Sequence, residues 1–514
     1  MIIKKAIYVS STLNIYAHNP FIEALPNYKD YNSIDIAKLL SEYPEHLNKN
    51  SCCKYDRAGW IFGLNNNLFI PLTRHIQLQQ SLDFIIRQSY AQRKVQYDEE
   101  YLTNAYKRQK EAELEGKKIF DIKYNNSDVD PLSIAVIGCS GIGKSTAVSK
   151  ILGLYPQVIH HDQVSKSIQS VDQVVYLKVQ CPHASSVKTL CKDIIQELSN
   201  LTYNNYIDTL KLRKYQTLDS YKSILSHLLS LHKVGILVID EIQNITSLRK
   251  NRDELFNFIV SLSNALQVSI LYIGTPKISK FMQENLRVAR RFGSCGAISW
   301  DRMLQNSTEW KRFIRELWKY NVLLEEDLDI NNEVENILYE CSQGIIDILI
   351  KLYSLSQIRA ITANHERLSK NIILKVYDEY FNSIKPIVQA IKQNDYVKIN
   401  QYADICISED EYQSIGNLLI DQITNDIEDY DFNSKEYKRK EVIRFFKNAK
   451  VSLSEDLNLK LNELLDDKNN FNANEIILLL QNYRNELKNN EKKPSEITQE
   501  TKNDDLLLSG SLKD

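Results

Sequence analysis

From Leu132 to about Thr362 the chain alternates between two textures. LSIAVIG, VVYLKV, GILVID, SILYIG and AISW are short runs rich in Val and Ile. Between most of them lie stretches such as SSVKTLCKDIIQEL and SYKSILSHLLSLH, whose apolar residues recur at helical spacing. Near-continuous apolar strands separated by amphipathic helices predict an α/β fold, with a parallel sheet covered on both faces. From Asn331 to Asp395 the pattern is helical throughout, with no strand signal. Residues 400 to 485 also read as helical and are heavily charged. Ahead of the alternating region, residues 1 to about 130 mix Tyr, Asn, short apolar pieces and loop signals such as Asn65-Asn66-Asn67. Within them, Tyr97 to Ile122 turns polar and reads as a solvated helix. The last thirty residues lack periodicity and aromatics and are expected to be disordered, with a short apolar anchor at Leu506-Leu507-Leu508. The resulting division is 1–130, 131–325, 326–395, 396–485 and a tail 486–514.

A length of 514 residues and a hydrophobic content of 43% suit two to four packed domains. Lys+Arg 64 against Asp+Glu 66 leaves a formal charge of −2, so any nucleic-acid contact must be a local basic patch. Eight cysteines are scattered apart from Cys52-Cys53, with no C-x-x-C pair. This suggests neither a zinc site nor a disulfide framework. Cys181, His183 and Cys191 fit no common zinc spacing, and the two cysteines read as buried thiols on either side of a loop. Lys4 and Lys5 precede no apolar signal region, and no apolar run reaches the ~20 residues of a spanning helix. A cytoplasmic protein with free thiols and no membrane segment is expected.

The chemistry is concentrated in the alternating region. Gly138-Cys139-Ser140-Gly141-Ile142-Gly143-Lys144-Ser145 matches G-x-x-x-x-G-K-[ST], with a strand before it and a helix after it. Glycines there let successive backbone N–H groups curl around a β-phosphate, and the helix N-terminus adds its positive end. Lys144 is expected to reach the β- and γ-phosphates, Ser145 to ligate Mg²⁺, and Thr146 to complete the ATP-binding set. A chance glycine-rich turn is the bland alternative, and the flanking strand and helix argue against it. About ninety-five residues on, GILVIDEIQNI places Asp240 and Glu241 at the carboxyl end of a buried strand. Asp240 suits Mg²⁺ and Glu241 suits the base that activates the attacking water, whereas the pair by itself would read as a solvated acidic turn. SILYIGTP ends with Thr275, a candidate contact to the lytic water or γ-phosphate, although strands often end in such turns. In NLRVARRFG, Arg287, Arg290 and Arg291 share one helix face. Arg290 or Arg291 suits an arginine finger offered to a neighbouring subunit; a solvated basic face is the alternative.

The order of these elements, closed by a helical lid, is that of AAA+ ATPases. One departure stands out: Cys341-Ser-Gln-Gly344-Ile-Ile-Asp347 carries an aspartate where many such proteins have an arginine near the glycine. ATP sensing then falls to another residue, or turnover is slow. Further segments narrow the resemblance: YAHNPFIEALP, IGCSGIGKST, YPQVIHH, QVVYLK, IGTPK, LRVARRFG and SQGIIDILIKLYSLSQIRA. Over roughly residues 15 to 400 the chain resembles TnsC, the AAA+ regulator of heteromeric cut-and-paste bacterial transposons, and more distantly the TniB regulators. The resemblance implies an ATPase that binds ATP and double-stranded DNA, self-associates into a ring or filament, recruits transposase subunits and is reset by hydrolysis. It implies duplex contacts near Lys211, Arg213 and Lys214, residues that by themselves read equally well as a solvated helix face. By the same analogy the N-terminal region faces a target-selector protein, and the C-terminal part and tail face the transposase. The basic stretch KEYKRKEVIRFFKNAK (Lys435 to Lys450) suits DNA or a partner. The competing readings are a signalling or defence NTPase with no DNA role, an ATP-binding scaffold without turnover, and a transposase, for which no spaced acidic triad in a strand-rich nuclease pattern is found.

Overall fold

The computed structural model describes residues 3–28, 31–92, 131–162, 170–182, 187–209, 217–247, 268–278, 294–325, 329–402, 408–428, 435–448, 451, 454–466, 471 and 473–490. The chain divides into two compact units, Met1–Ile420 and Asp421–Asp514.

The first unit begins with β1 (Ile3–Lys5), α1 (Ser33–Leu40), α2 (Lys54–Phe62) and α3 (Thr73–Gln92). Then come β2 (Ser133–Ile137), α4 (Lys144–Leu152), β3 (Val158–His161), β4 (Val171–Val174), β5 (Tyr176–Gln180), α5 (Val187–Thr202) and α6 (Leu218–Leu231). They are followed by β6 (Ile236–Asp240), β7 (Ser269–Gly274) and β8 (Ala297–Ser299). Helices α7 (Thr308–Trp318), α8 (Asn332–Ser342), α9 (Ile346–Thr362), α10 (Lys370–Tyr380) and α11 (Lys385–Lys392) lead to α12 (Glu409–Glu428).

The central sheet has five parallel strands in the order β5-β6-β7-β2-β8. Consecutive strand residues point to opposite faces. In β6, Ile236 and Val238 therefore join one core while Leu237 and Ile239 join the other. A strand buried on both sides must be apolar at every position, hence the unbroken runs in the sequence. One face is covered by α3 and α4 through Leu78, Leu82, Ile86, Val148 and Ile151. The other face carries α5 and α6, with Leu190, Ile194, Leu198, Ile224 and Leu228. Each of these side chains, fully buried, contributes roughly 1.5–3 kcal/mol of transfer free energy.

Two features depart from the pattern reading. The run VVYLKV is divided between two sheets: β4 pairs antiparallel with β3 in a small sheet of order β1-β3-β4, and β5 pairs with β6 in the main one. The chain changes partners at Val175, whose N–H donates to Gln157 O at 2.9 Å. Residues 3–92, set apart by texture, pack into the same unit as the sheet, with α3 forming part of one of its faces. Helix α2 is also tied to the helical segment. The guanidinium of Arg57, a residue 2% exposed, donates two bonds of 2.7 Å to the Glu366 carboxylate and one of 2.8 Å to Val322 O.

In the second unit α13 (Lys435–Asn448), α14 (Glu455–Asp466) and α15 (Ala473–Asn490) enclose a small core of Val442, Phe446, Leu457, Leu461, Ile476 and Leu480. Helix α15 extends to Asn490, a few residues into the segment expected to lack regular structure. Among the described residues no helix is long and apolar enough to cross a membrane. Cys181 and Cys191 are buried free thiols, and burial pushes Cys191 up to about 12. His183 lies outside the described residues.

Candidate nucleotide-binding site

The parallel order of the sheet decides which loops meet. Strand β7 lies between β6 and β2, so the segments after all three emerge at one carboxyl edge. Gly138 N–H donates to Gly274 O at 3.1 Å, fastening the start of the phosphate loop to the end of β7. A Cβ on Gly138 would lie 2.2 Å from Trp300 O, closer than any side chain permits. Gly143 has φ 89, in the left-handed region open to glycine, and turns the loop into the N-terminus of α4. Lys144 Nζ donates to the loop carbonyls of Gly138 (2.8 Å) and Cys139 (2.7 Å).

The acidic pair stands opposite. Asp240, 2% exposed, accepts at Oδ1 from Ser145 Oγ (3.0 Å) and from the Glu241 N–H (2.9 Å). Its Oδ2 is 3.4 Å from Lys178 Nζ. Ser145 and Asp240, far apart in sequence, therefore form a contact pair that could hold Mg²⁺. Glu241 takes φ 54, a left-handed conformation uncommon for a side-chain-bearing residue and frequent at functional sites. Its carboxylate accepts from Gln243 Nε2, while Gln243 Oε1 accepts from the Thr275 N–H at 3.1 Å. Gln243 thus joins the acidic turn to the Thr275 turn, a role the motif reading missed. Thr275 is 3% exposed, and its Oγ1 is buried without a hydrogen-bond partner among the described residues. An orphaned hydroxyl at this edge fits a site completed by an oxygen-rich ligand.

These loops open onto a cavity of about 380 Å³. Ser140, Gly141, Gly143, Lys144, Ser145, Thr146 and Glu241 line its polar end. Asn65, Asn66, Phe69, Ile70 and His75 come from the N-terminal region, and Phe313, Ile346, Asp347 and Ile350 from the helical segment. In the sequence, Asn65-Asn66-Asn67 is a bare loop signal; nothing local marks it as cavity wall. His75 accepts at Nδ1 from the Leu72 N–H (2.8 Å), with Phe69 and Trp300 against its ring. Burial, aided by Arg74, holds its pKa down to about 3, so the ring is neutral. An anion-binding end and an apolar, aromatic end in one cavity fit a nucleoside triphosphate.

Asp347 sits at the N-terminus of α9, its N–H donating to Gly141 O at 3.0 Å. Burial raises its pKa while Lys351, one turn on, pulls the other way. Arg287, Arg290 and Arg291 lie outside the described residues, as do Lys211, Arg213 and Lys214.

Residues 128–282 match the AAA domain family. This segment is an AAA-type P-loop ATPase domain. The AAA domain sits in a parallel α/β core with further helical regions after it. No curated protein matches the chain in sequence. Among solved structures, the chain is similar to the Aeropyrum pernix ORC1 protein in complex with DNA, at 14% identity and TM-score 0.32, over 49% of this chain and 60% of that one. It is similar to Cdc6p from Pyrobaculum aerophilum at 11% identity and TM-score 0.34, over 57% of this chain and 80% of that one. The Thermotoga maritima RuvB Holliday junction branch migration motor gives 15% identity and TM-score 0.28, over 61% and 94%. At such scores these likenesses are general, and the assignment rests on the AAA domain match.

Proposed function

We propose that the protein is an ATP-dependent, DNA-binding regulator of transposition that oligomerises on target DNA and is reset by hydrolysis. The observation that carries the ATPase part is the meeting of Ser145 and Asp240 at 3.0 Å, with Glu241, Gln243 and Thr275 linked beside them. The loop amides from Gly138 to Thr146 and Lys144 hold the phosphates, and Ser145 with Asp240 holds Mg²⁺. A bound Mg–ATP supplies the phosphoanhydride. Glu241 takes the proton of the attacking water, and the Thr275 hydroxyl orients that water. Arg290 or Arg291 of a neighbouring subunit completes the site, which makes assembly ATP-dependent. Charge near −2 for the whole chain suits phosphate contact through a local patch such as Lys211, Arg213 and Lys214, multiplied by self-association. The transposition role, with a target selector and transposase subunits as partners, is supported by the resemblance to TnsC.

The test is duplex-DNA binding and particle size with an ATP analogue or ADP, for wild type and Lys144→Ala. Analogue-dependent assembly on DNA, lost in the variant, is the expected result. A wild type that hydrolyses ATP yet ignores DNA under every nucleotide would favour a signalling NTPase instead.

A further inference from the structure

Lys351 connects the nucleotide cavity to a helix that the proposed chemistry does not use. Its side chain is 4% exposed, and its Nζ lies 2.9 and 3.1 Å from the two oxygens of the Asp347 carboxylate. The same ammonium is 3.9 Å from Glu409 Oε2 and 5.6 Å from the centre of the Tyr412 ring. Asp347 is a wall of the cavity and rests on the phosphate loop, where a Cβ on Gly141 would be 3.1 Å from the Asp347 Cβ. Glu409 and Tyr412 belong to the first turn of α12. That turn is anchored by Tyr412, whose ring stacks on Phe62 at 4.9 Å and whose hydroxyl donates to Phe62 O at 3.2 Å. Gly416, one turn later, packs so closely that a Cβ there would be 1.9 Å from the Phe62 ring. One buried cation is thus shared between a carboxylate of α9 that rests against the phosphate loop and a carboxylate on α12.

Helical side chains lean toward the helix N-terminus, so the lysine stem already points to the end of α9 that meets the phosphate loop. A triphosphate in the cavity that Gly141 and Asp347 both line would add negative charge near Asp347. The buried ammonium is then drawn to that side, because charge attraction grows as water is excluded. We propose that Lys351 is a positioning residue that couples the γ-phosphate to α12: a triphosphate pulls its ammonium from Glu409 and Tyr412, and a diphosphate does not. The inference rests on the nucleotide reading of the cavity. By linkage the effect runs both ways, so loosening Glu409 strengthens triphosphate binding.

The experiment uses the full chain with the β,γ-imido analogue of ATP and with ADP. Affinities are measured for wild type, Lys351→Met, Lys351→Arg and Glu409→Gln, and amide hydrogen exchange is followed at residues 409–416. In wild type the analogue should speed exchange there relative to ADP. Lys351→Met should abolish that difference and cut the preference for analogue over ADP by roughly tenfold, the worth of a charge-assisted hydrogen bond. Lys351→Arg should retain the preference, and Glu409→Gln should increase it. Equal weakening of both nucleotides in Lys351→Met would reduce Lys351 to a structural part and overturn the coupling. Identical exchange in wild type with either nucleotide would also overturn it, and that comparison requires no variant to fold. If wild type binds neither nucleotide, the reading of the cavity fails and the coupling falls with it.

Discussion

Replacing Gln243 with leucine, which has nearly the same volume, separates chemistry from nucleotide binding at this site. Gln243 is 5% exposed and makes two bonds: its Nε2 donates to the Glu241 carboxylate and its Oε1 accepts from the Thr275 N–H. The first is charge-assisted, and its loss costs about 1.5–3 kcal/mol. The second leaves a buried backbone N–H facing a methyl group. Allowing for partial relaxation, stability should fall by about 2–4 kcal/mol, measured by urea unfolding at pH 7.5. Glu241 carries left-handed backbone at φ 54, and its carboxylate is held by the bond from Gln243. With the tie gone, kcat for phosphate release should drop roughly 10- to 100-fold, equivalent to about 1.4–2.7 kcal/mol of barrier. Gln243 is not among the cavity-lining residues, so the Kd for an ATP analogue should stay within about threefold of wild type. A folded variant with unchanged kcat, or one whose Kd weakens as much as kcat falls, would refute the assignment.

His75 makes stability pH-dependent. Its folded pKa of about 3 lies below the ordinary 6.5, so below pH 6.5 only the unfolded chain takes up this proton. The stability it supports is complete above pH 6.5 and is lost as pH falls toward 3. Between pH 7 and 5 wild type should lose about 2 kcal/mol more than His75→Phe in urea titrations, and parallel curves would refute the buried neutral ring. Arg57→Met should destabilise the first unit by about 3–5 kcal/mol, because it strands the Glu366 carboxylate. The double variant with Glu366→Leu should regain most of that loss in thermal unfolding.

Much of the core was legible in the chain because its signals are local. Ser133–Ile137, Ile236–Asp240 and Ser269–Gly274 announce themselves by their near-continuous apolar runs, since both faces of a central strand are covered. Gly138 to Ser145 is readable because a loop that curls around a phosphate needs glycine at fixed steps, whatever lies elsewhere. Asp240 and Glu241 follow from their place after a buried strand. The rest depended on which distant segments meet. Val171–Val174 and Tyr176–Gln180 look like one strand until each finds a different sheet. Asn65, Phe69 and His75 reach the cavity because α3 and the segment before it pack against the sheet, and Lys351 meets Glu409 because α12 docks beside α9. Gln243 joins Glu241 to Thr275 only because β6 and β7 end side by side. Sequence alone determined the central strands, the phosphate loop and the acidic pair, since periodicity and backbone conformation are properties of neighbouring residues. Tertiary structure decided the walls and links of the site, since contacts between remote segments are set by packing that no local pattern encodes.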